Sequence, residues 1–153
     1  MRNCVLIMVV IMAITAGSAL ADFGSISLKE TGVSPGGGGY TVYARGFTGG
    51  IGGVLAGQYQ FDISGGTVTG IPGISSYTQL PEWGFCIEME YSPGSYQSYA
   101  LKSLADAPLS NGPGGSPMGA TKAQYIGELW AAHIADAGTS IGAQAFQLAV
   151  WEI

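Results

Sequence analysis

Short runs of β-forming residues separated by glycine occupy the first half of the chain after residue 21, and they limit what it can fold into. The runs FGSISL, YTVYARGF and AGQYQFDIS are rich in β-branched and aromatic residues at a period of two. Glycine clusters at 36–39, 49–53 and 64–66 predict the turns. This spacing predicts an antiparallel β-rich sandwich or barrel.

Helical periodicity replaces this pattern in the second half. Ser116 followed by Pro117 predicts an N-cap and a first helical position, and Gly138 predicts a helix stop. We therefore expect helices near 117–136 and 140–153. Because the strands come first and the helices last, the sequence predicts an α+β fold with two helices packed on the sheet.

The N-terminus has the three-part pattern of a secretory signal peptide. One basic residue precedes an apolar run, and small residues follow at Ala19 and Ala21. The run is too short to span a bilayer comfortably, so we expect no membrane span in the mature chain. The pattern predicts cleavage after Ala21 of a signal peptide covering 1–21, and residues 22–153 as a single secreted or cell-surface domain.

The charge balance bears on the possible partners. The chain has 10 acidic and 5 basic residues, for a net charge of −5, which argues against nucleic acid. No group of residues has metal-ligand spacing, and the glycine runs lack the lysine of a phosphate-binding loop. We therefore expect no metal and no cofactor.

The stretch GFCIEMEY contains Cys86, the only cysteine left once Cys4 is removed with the signal peptide. Cys86 then cannot form an intramolecular disulfide, which calls for an explanation in an exported protein. The pattern predicts a strand over 83–91, with Phe85 and Ile87 on one face and Cys86 on the other.

The stretch AFQLAVWEI at the end of the second helix contains Gln147 among residues that are apolar all around the helix. This pattern predicts a buried segment. Burying an amide without partners costs roughly 2–7 kcal/mol. Gln147 must therefore be hydrogen-bonded or take part in chemistry.

One chemistry would use both residues. The thiol of Cys86 can attack the side-chain carbonyl of Gln147 and expel ammonia, which leaves an internal thioester. The reaction needs a fixed geometry, which contributes roughly 7–11 kcal/mol to lowering the barrier, and a pocket that excludes water. Aromatic residues next to the two positions predict such a pocket: Trp83, Phe85, Phe146 and Trp151.

The two segments together resemble the bacterial thioester domains of exported cell-surface proteins. In that family an aromatic–Cys–hydrophobic motif and a Gln followed by hydrophobic, Ala, hydrophobic and Trp supply the two ends of the bond. The resemblance covers 83–153 and implies Cys86 and Gln147 as the pair, with Trp151 as the motif's tryptophan. The intervening stretch is similar to variants found with PEP-type C-terminal sorting signals. Phe146 stands where many members have Thr.

The resemblance implies a single-use attachment reaction rather than enzymatic turnover, so no catalytic residue is predicted. The partner would be an amine-bearing surface protein or a polyamine, and His133 would be a possible proton acceptor. Members of that family usually continue with further strands after the motif's tryptophan, so the resemblance implies a domain truncated at its C-terminus, since the sequence ends two residues after Trp151.

Two other interpretations remain open at this point. A Cys–His hydrolase or transglutaminase would have to use His133, the only histidine, but no nucleophile turn precedes Cys86. Glu88 and Glu90 follow Cys86 at strand spacing and could resemble a carboxylate pair. They are better explained as the solvent-exposed face of the predicted strand. The other interpretation is a non-covalent structural surface protein in which Cys86 is merely a buried thiol.

Overall fold

The computed structural model describes residues 22–34, 40–47, 50–87, 94–109 and 116–153. The signal peptide predicted over 1–21, the turn predicted at 36–39, and Glu88 and Glu90 lie outside the described residues.

The described residues form strands first and helices last, which confirms the α+β class. The strands are β1 Asp22–Ser34, β2 Tyr40–Phe47, β3 Gly50–Ala56, β4 Gln58–Val68, β5 Trp83–Gly84, β6 Gln97–Lys102, β7 Pro108–Leu109 and β8 Ser116–Pro117. The α-helices are α1 Ala120–His133 and α2 Ser140–Glu152, and short 3-10 helices cover Tyr77–Gln79, Leu104–Asp106 and Ile134–Gly138.

Four of the strands form one antiparallel sheet in the order β5-β4-β1-β6. β2 pairs with β3, and β7 pairs with β8, as separate antiparallel two-stranded units. The antiparallel pairing predicted from the sequence is therefore confirmed. Among the described residues the large sheet is open, with β5 and β6 at its edges.

Two of the predicted glycine turns differ from the structure. The glycine cluster at 49–53 was predicted to form a turn. Residues 50–53 instead lie within β3, which pairs with β2. Residues 64–66 lie within β4, where the pairing with β1 shifts by one residue. Gly66 has φ +146°, and a Cβ there would collide with the carbonyl oxygen of Ser25. Glycine here therefore permits a bulge with close strand approach, and not a chain reversal.

The predicted start of the first helix is also wrong. Ser116 and Pro117 form β8 and pair with β7. The chain turns at Gly119, which has φ +84° and is the N-cap of α1. The amide of Met118 donates to Ala107 O at 2.7 Å, so tertiary pairing holds these residues extended and overrides the local capping signal.

The core is divided into two clusters. The sheet cluster contains Ile26, Leu28, Val33, Tyr59, Phe61, Leu80, Cys86, Tyr99 and Leu101, with Trp151 packed against it. The helix cluster contains Phe85, Ile87, Ala107, Met118, Ile126, Ala137, Ala143, Phe146 and Val150, with Trp83 and Trp130 packed against it.

Helix α2 joins the two clusters, and its start agrees with the predicted second helix. Thr139 is its N-cap, and the Thr139 hydroxyl accepts from Gly142 N at 3.1 Å. The segment around Gln147 was predicted to be buried all around the helix, but Leu148 in this segment is 39% exposed. Ile141, near the start of the helix, is 78% exposed. Its buried face contacts β4 and β3 and carries Gln147.

Candidate functional site

Cys86 lies just after the short edge strand β5, at the boundary between the two clusters. Its neighbours Phe85 and Ile87 are buried in the helix cluster, whereas Cys86 itself is buried in the sheet cluster. The predicted alternation of faces is therefore confirmed, and both faces are covered. Of the strand predicted over 83–91, the structure describes 83–87, and within this range β5 ends at Gly84.

Gln147 meets the main chain of Cys86 with both ends of its carboxamide. Cys86 N donates to Gln147 Oε1 at 2.9 Å, and Gln147 Nε2 donates to Cys86 O at 2.6 Å. Gln147 has no exposed surface, and among the residues whose side-chain burial the structure describes it is the only buried polar or charged one. The sequence predicted that Gln147 is either hydrogen-bonded or takes part in chemistry, and the structure shows the hydrogen bonds.

This pair of bonds satisfies the main chain of Cys86 beyond the end of β5. In a sheet, the N–H and C=O of a residue pair with a neighbouring strand. Here the carboxamide of Gln147 takes the place of that strand at Cys86. A buried backbone group without a partner costs about as much as a lost hydrogen bond. The Gln147 side chain removes this cost at the N–H and the C=O of Cys86, because it binds both.

Four aromatic rings stack beside this contact. The centroids of Phe85 and Phe146 are 4.6 Å apart, and Trp83 and Trp130 are stacked with centroids 5.8 Å apart. Trp130 also meets Phe146 edge-on at 5.8 Å. We call these rings the aromatic cluster: Trp83, Phe85, Trp130 and Phe146. Three of them were predicted pocket residues.

Trp130 is the member that the sequence did not indicate. Apolar residues recur at helical spacing along α1, among them Ile126, Leu129 and Trp130. This stripe predicts burial, but it gives no signal for the stacking partner of Trp130. The predicted stripe also contains Tyr125, which the structure places 53% exposed. Ile126 on the same helix is 2% exposed, so only part of the stripe faces the core.

Trp151, the fourth predicted pocket residue, is not part of the aromatic cluster. It packs against the sheet cluster, which contains Cys86. Its Nε1 is buried and has no hydrogen-bond partner among the residues that the structure describes. Three of the predicted pocket residues therefore lie with the helix cluster, and Trp151 lies with the sheet cluster.

His133 is not brought into this site. It lies at the C-terminal end of α1, where its side chain is 59% exposed and its Nδ1 lies 3.1 Å from Asp136 Oδ2. Cys86 and Gln147 are both buried. The predicted role of His133 as a proton acceptor gains no support from this position.

A second polar group, which sequence reasoning missed, lies on the exposed face of the sheet. The hydroxyl of Tyr96 donates to Asp62 Oδ2 at 2.6 Å, and Lys29 Nζ lies 3.5 Å from the same oxygen. The hydrogen bond from Tyr96 lowers the pKa of Asp62, and the bond to Asp62 raises the pKa of Tyr96. These positions are distant in sequence, so no local motif marks them.

Comparison with known protein families, curated proteins and solved structures found no match to this chain. Among the described residues, no group of acidic, histidine or cysteine side chains could hold a metal ion. No helix in the described ranges is long and apolar enough to cross a membrane.

The arrangement can act chemically in one direct way. Cys86 supplies a nucleophilic thiol, and Gln147 supplies an electrophilic carbonyl carbon. Hydrogen bonds between the Gln147 carboxamide and the main chain of Cys86 already hold the two residues together. One main-chain N–H polarises that carbonyl, and the surroundings are apolar and buried. These are the elements of an intramolecular acyl transfer.

Proposed function

We propose that Cys86 Sγ and Gln147 Cδ form an internal thioester, and that this domain of an exported cell-surface or matrix protein uses it for covalent attachment to amine-bearing surfaces. The observation that carries the proposal is the double hydrogen bond between the Gln147 carboxamide and the main chain of Cys86. The resemblance of the two motifs to bacterial thioester domains supports it independently.

The direction of these bonds favours attack by the thiol. One carboxamide can bond both main-chain groups of Cys86 only if they point to the same side, as they do in an extended residue. The side chain of an extended residue projects out of the plane of its hydrogen bonds. The thiol of Cys86 would then approach the flat face of the carboxamide, where a nucleophile reaches a carbonyl carbon.

The proposed reaction is balanced without an external reagent. The Sγ–Cδ bond forms, the Cδ–Nε2 bond breaks, and the thiol proton leaves with Nε2 as ammonia. Cys86 N–H continues to donate to the oxygen of Gln147 throughout, as an oxyanion donor does. The hydrogen bond from Nε2 to Cys86 O is lost with the leaving group, and departure of ammonia from the site makes the reverse reaction slow.

Burial of the pair supports the lifetime of such a bond. Gln147 has no exposed surface, and Cys86 is 6% exposed. The aromatic cluster covers the helix side of the pair. Water would hydrolyse a thioester, so a site that excludes water protects it.

The bond would be consumed once. A primary amine, from a lysine of a surface protein or from a polyamine, attacks the thioester carbon, and Cys86 leaves as a thiol that carries the proton lost by the amine. The product is an amide between Gln147 and the partner. Because the site is buried, small amines should react faster than bulky ones unless the partner opens it.

A non-covalent structural role is the second candidate, and one observation favours it. Both polar atoms of the Gln147 carboxamide are hydrogen-bonded while it is intact, so the contact stabilises the fold without any chemistry. A Cys–His hydrolase is disfavoured, because His133 is exposed and pairs with Asp136.

The mass of the intact protein separates these candidates. We expect the folded protein to be one ammonia lighter than its mature sequence, and methylamine to add its own mass to the peptide containing Gln147 while releasing one thiol on Cys86. Cys86→Ala and Gln147→Ala should each abolish the adduct, whereas Gln144→Ala, on the same helix, should leave it unchanged.

The result that would overturn the thioester is a protein with its full sequence mass, a titratable Cys86 thiol after denaturation, and no methylamine adduct. N-terminal sequencing of the secreted protein tests the proposed export, with Asp22 expected as the first residue. Recovery of protein with Met1 intact from the membrane would contradict cleavage.

A further inference from the structure

Trp151 lies one helical turn after Gln147 on the same face of α2. Side chains on a helix lean toward its N-terminus, so the indole of Trp151 extends over the turn that carries Gln147. The ring packs against the sheet cluster, which contains Cys86. Trp151 is therefore one helical turn from Gln147 and packs against the cluster to which Cys86 belongs.

The indole N–H of Trp151 is buried without a hydrogen-bond partner among the described residues. A buried indole N–H usually finds a partner, and leaving it unmet costs stability. Gln147 Oε1 receives one hydrogen bond, from Cys86 N at 2.9 Å. A carbonyl oxygen can accept two hydrogen bonds. The indole N–H of Trp151, which is unmet in the resting state, is therefore suited to bind the negative charge that develops on this oxygen during the reaction.

We infer that Trp151 is a catalytic residue of the proposed thioester chemistry, whose N–H is the second donor to the oxyanion formed on Gln147; this role rests on the proposed function. When the Cys86 Sγ–Cδ bond forms, the carbonyl electron pair moves onto Oε1 and Cδ becomes tetrahedral. The oxygen shifts as it does so. Oxyanion donors are aimed at this shifted position and not at the resting carbonyl.

The intermediate then collapses, the C=O bond re-forms, and Nε2 leaves as ammonia with the thiol proton. The same oxyanion forms when an amine attacks the finished thioester, so the indole N–H of Trp151 acts in formation and in attachment. A hydrogen bond made only in the transition state accelerates a reaction without stabilising the resting site. This accounts for a donor that is unmet beside an intact carboxamide.

Two replacements at Trp151 test the inference. Trp151→Phe removes the N–H, and incorporation of benzothienylalanine replaces the N–H by sulfur at nearly the same ring shape. We expect both to slow ammonia loss after refolding, and methylamine addition, by about 100-fold. Tyr125→Phe removes a donor from an exposed ring of α1 and should keep the wild-type rates.

If Trp151→Phe folds poorly, the benzothienylalanine variant decides the outcome, because this residue keeps the packing of the tryptophan ring. If the wild-type protein forms the thioester and the isosteric variant reacts at the wild-type rate, Trp151 is not a donor and the inference fails while the proposed function stands. If the wild-type protein keeps its full mass, both fail. Intact mass of the wild type therefore distinguishes the two failures.

Discussion

Gln147 binds Cys86 through the main chain: Oε1 accepts from Cys86 N at 2.9 Å, and Nε2 donates to Cys86 O at 2.6 Å. A neighbouring strand would make the same two bonds. The carboxamide therefore completes the hydrogen bonding of the sheet edge with a side chain from α2. Because the partner atoms belong to the backbone, a small side chain such as alanine at position 86 retains both hydrogen-bonding groups, whereas proline would remove the N–H.

Replacing Gln147 by leucine should destabilise the protein even where no thioester can form. In a Cys86→Ala background the backbone N–H and C=O of residue 86 are retained, and Gln147→Leu leaves both buried without partners. Each of the two unmet groups costs about 1–3 kcal/mol, so we expect a loss of about 2–6 kcal/mol. The measurement is urea unfolding of the Cys86→Ala protein with and without Gln147→Leu.

The matched control is Gln144→Leu in the same background. Gln144 Nε2 donates to the Ser140 hydroxyl at 3.1 Å within α2, where both residues are partly exposed. This substitution should change the free energy of unfolding by less than about 1 kcal/mol. Equal effects at Gln144 and Gln147 would show that the contact with residue 86 does not stabilise the fold.

Gln147→Glu should make stability depend on pH. One carboxylate oxygen can accept from Cys86 N–H, but the other faces Cys86 O and has no proton to donate unless the acid is protonated. Burial and this second oxygen raise the pKa of the introduced acid in the folded state. The stabilisation is therefore present below the unfolded-state pKa of about 4.3 and is lost as pH rises through the folded-state pKa.

The measurement is the difference in unfolding free energy between Gln147→Glu and wild type, both in the Cys86→Ala background, across acid and neutral pH. The deficit of the variant should be larger at pH 7 than at pH 4. A deficit that is constant over this range would mean that the second oxygen does not face the carbonyl of residue 86.

The pairing of Cys86 with Gln147 could be predicted because each residue breaks its local pattern. A thiol on the second face of a strand and an amide on the buried face of a helix both need partners, and together they suggest one site. The sequence could not show that the amide would bond the main chain of Cys86. That contact depends on where β5 ends, which is a tertiary property.

Other features were beyond local sequence signals for a similar reason. Ser116 and Pro117 resemble a helix start, but pairing with β7 keeps them extended. The stacking of Trp130 on Trp83 joins α1 to the edge strand β5. Neither the helical period of α1 nor the period of two in the strand predicts this contact. The thioester itself stays a prediction, since hydrogen bonds alone are compatible with an intact carboxamide.

Phe146→Ala should weaken both the fold and the protection of the proposed bond. Phe146 is 4% exposed and packs against Phe85 at 4.6 Å between ring centroids. Truncation of a buried phenylalanine typically costs about 3–5 kcal/mol. The cavity next to Gln147 would also admit water, so the thioester should hydrolyse faster, measured as regain of one water in intact mass over time.

Leu148→Ala is the control for this substitution, since Leu148 lies nearby on α2 and is 39% exposed. We expect a loss of stability of less than about 1 kcal/mol and an unchanged hydrolysis rate. Similar effects at Phe146 and Leu148 would indicate that the aromatic cluster does not shield the site.

The hydrogen bond between Tyr96 and Asp62 should contribute stability only between the titrations of its two partners. Tyr96 lowers the pKa of Asp62, so this stabilisation is full above the ordinary aspartate value of about 3.9 and is lost as pH falls through the lowered pKa. Asp62 raises the pKa of Tyr96, so the stabilisation is full below the ordinary tyrosine value of about 10 and is lost as pH rises through the raised pKa.

The difference in unfolding free energy between wild type and Tyr96→Phe should therefore be small, as expected for an exposed pair. It should form a plateau from about pH 5 to about pH 9 and decline on both sides. Tyr125→Phe, which alters an exposed tyrosine of α1, should give no such profile. A difference for Tyr96→Phe that does not vary with pH would show that the hydroxyl of Tyr96 does not bind the Asp62 carboxylate in solution.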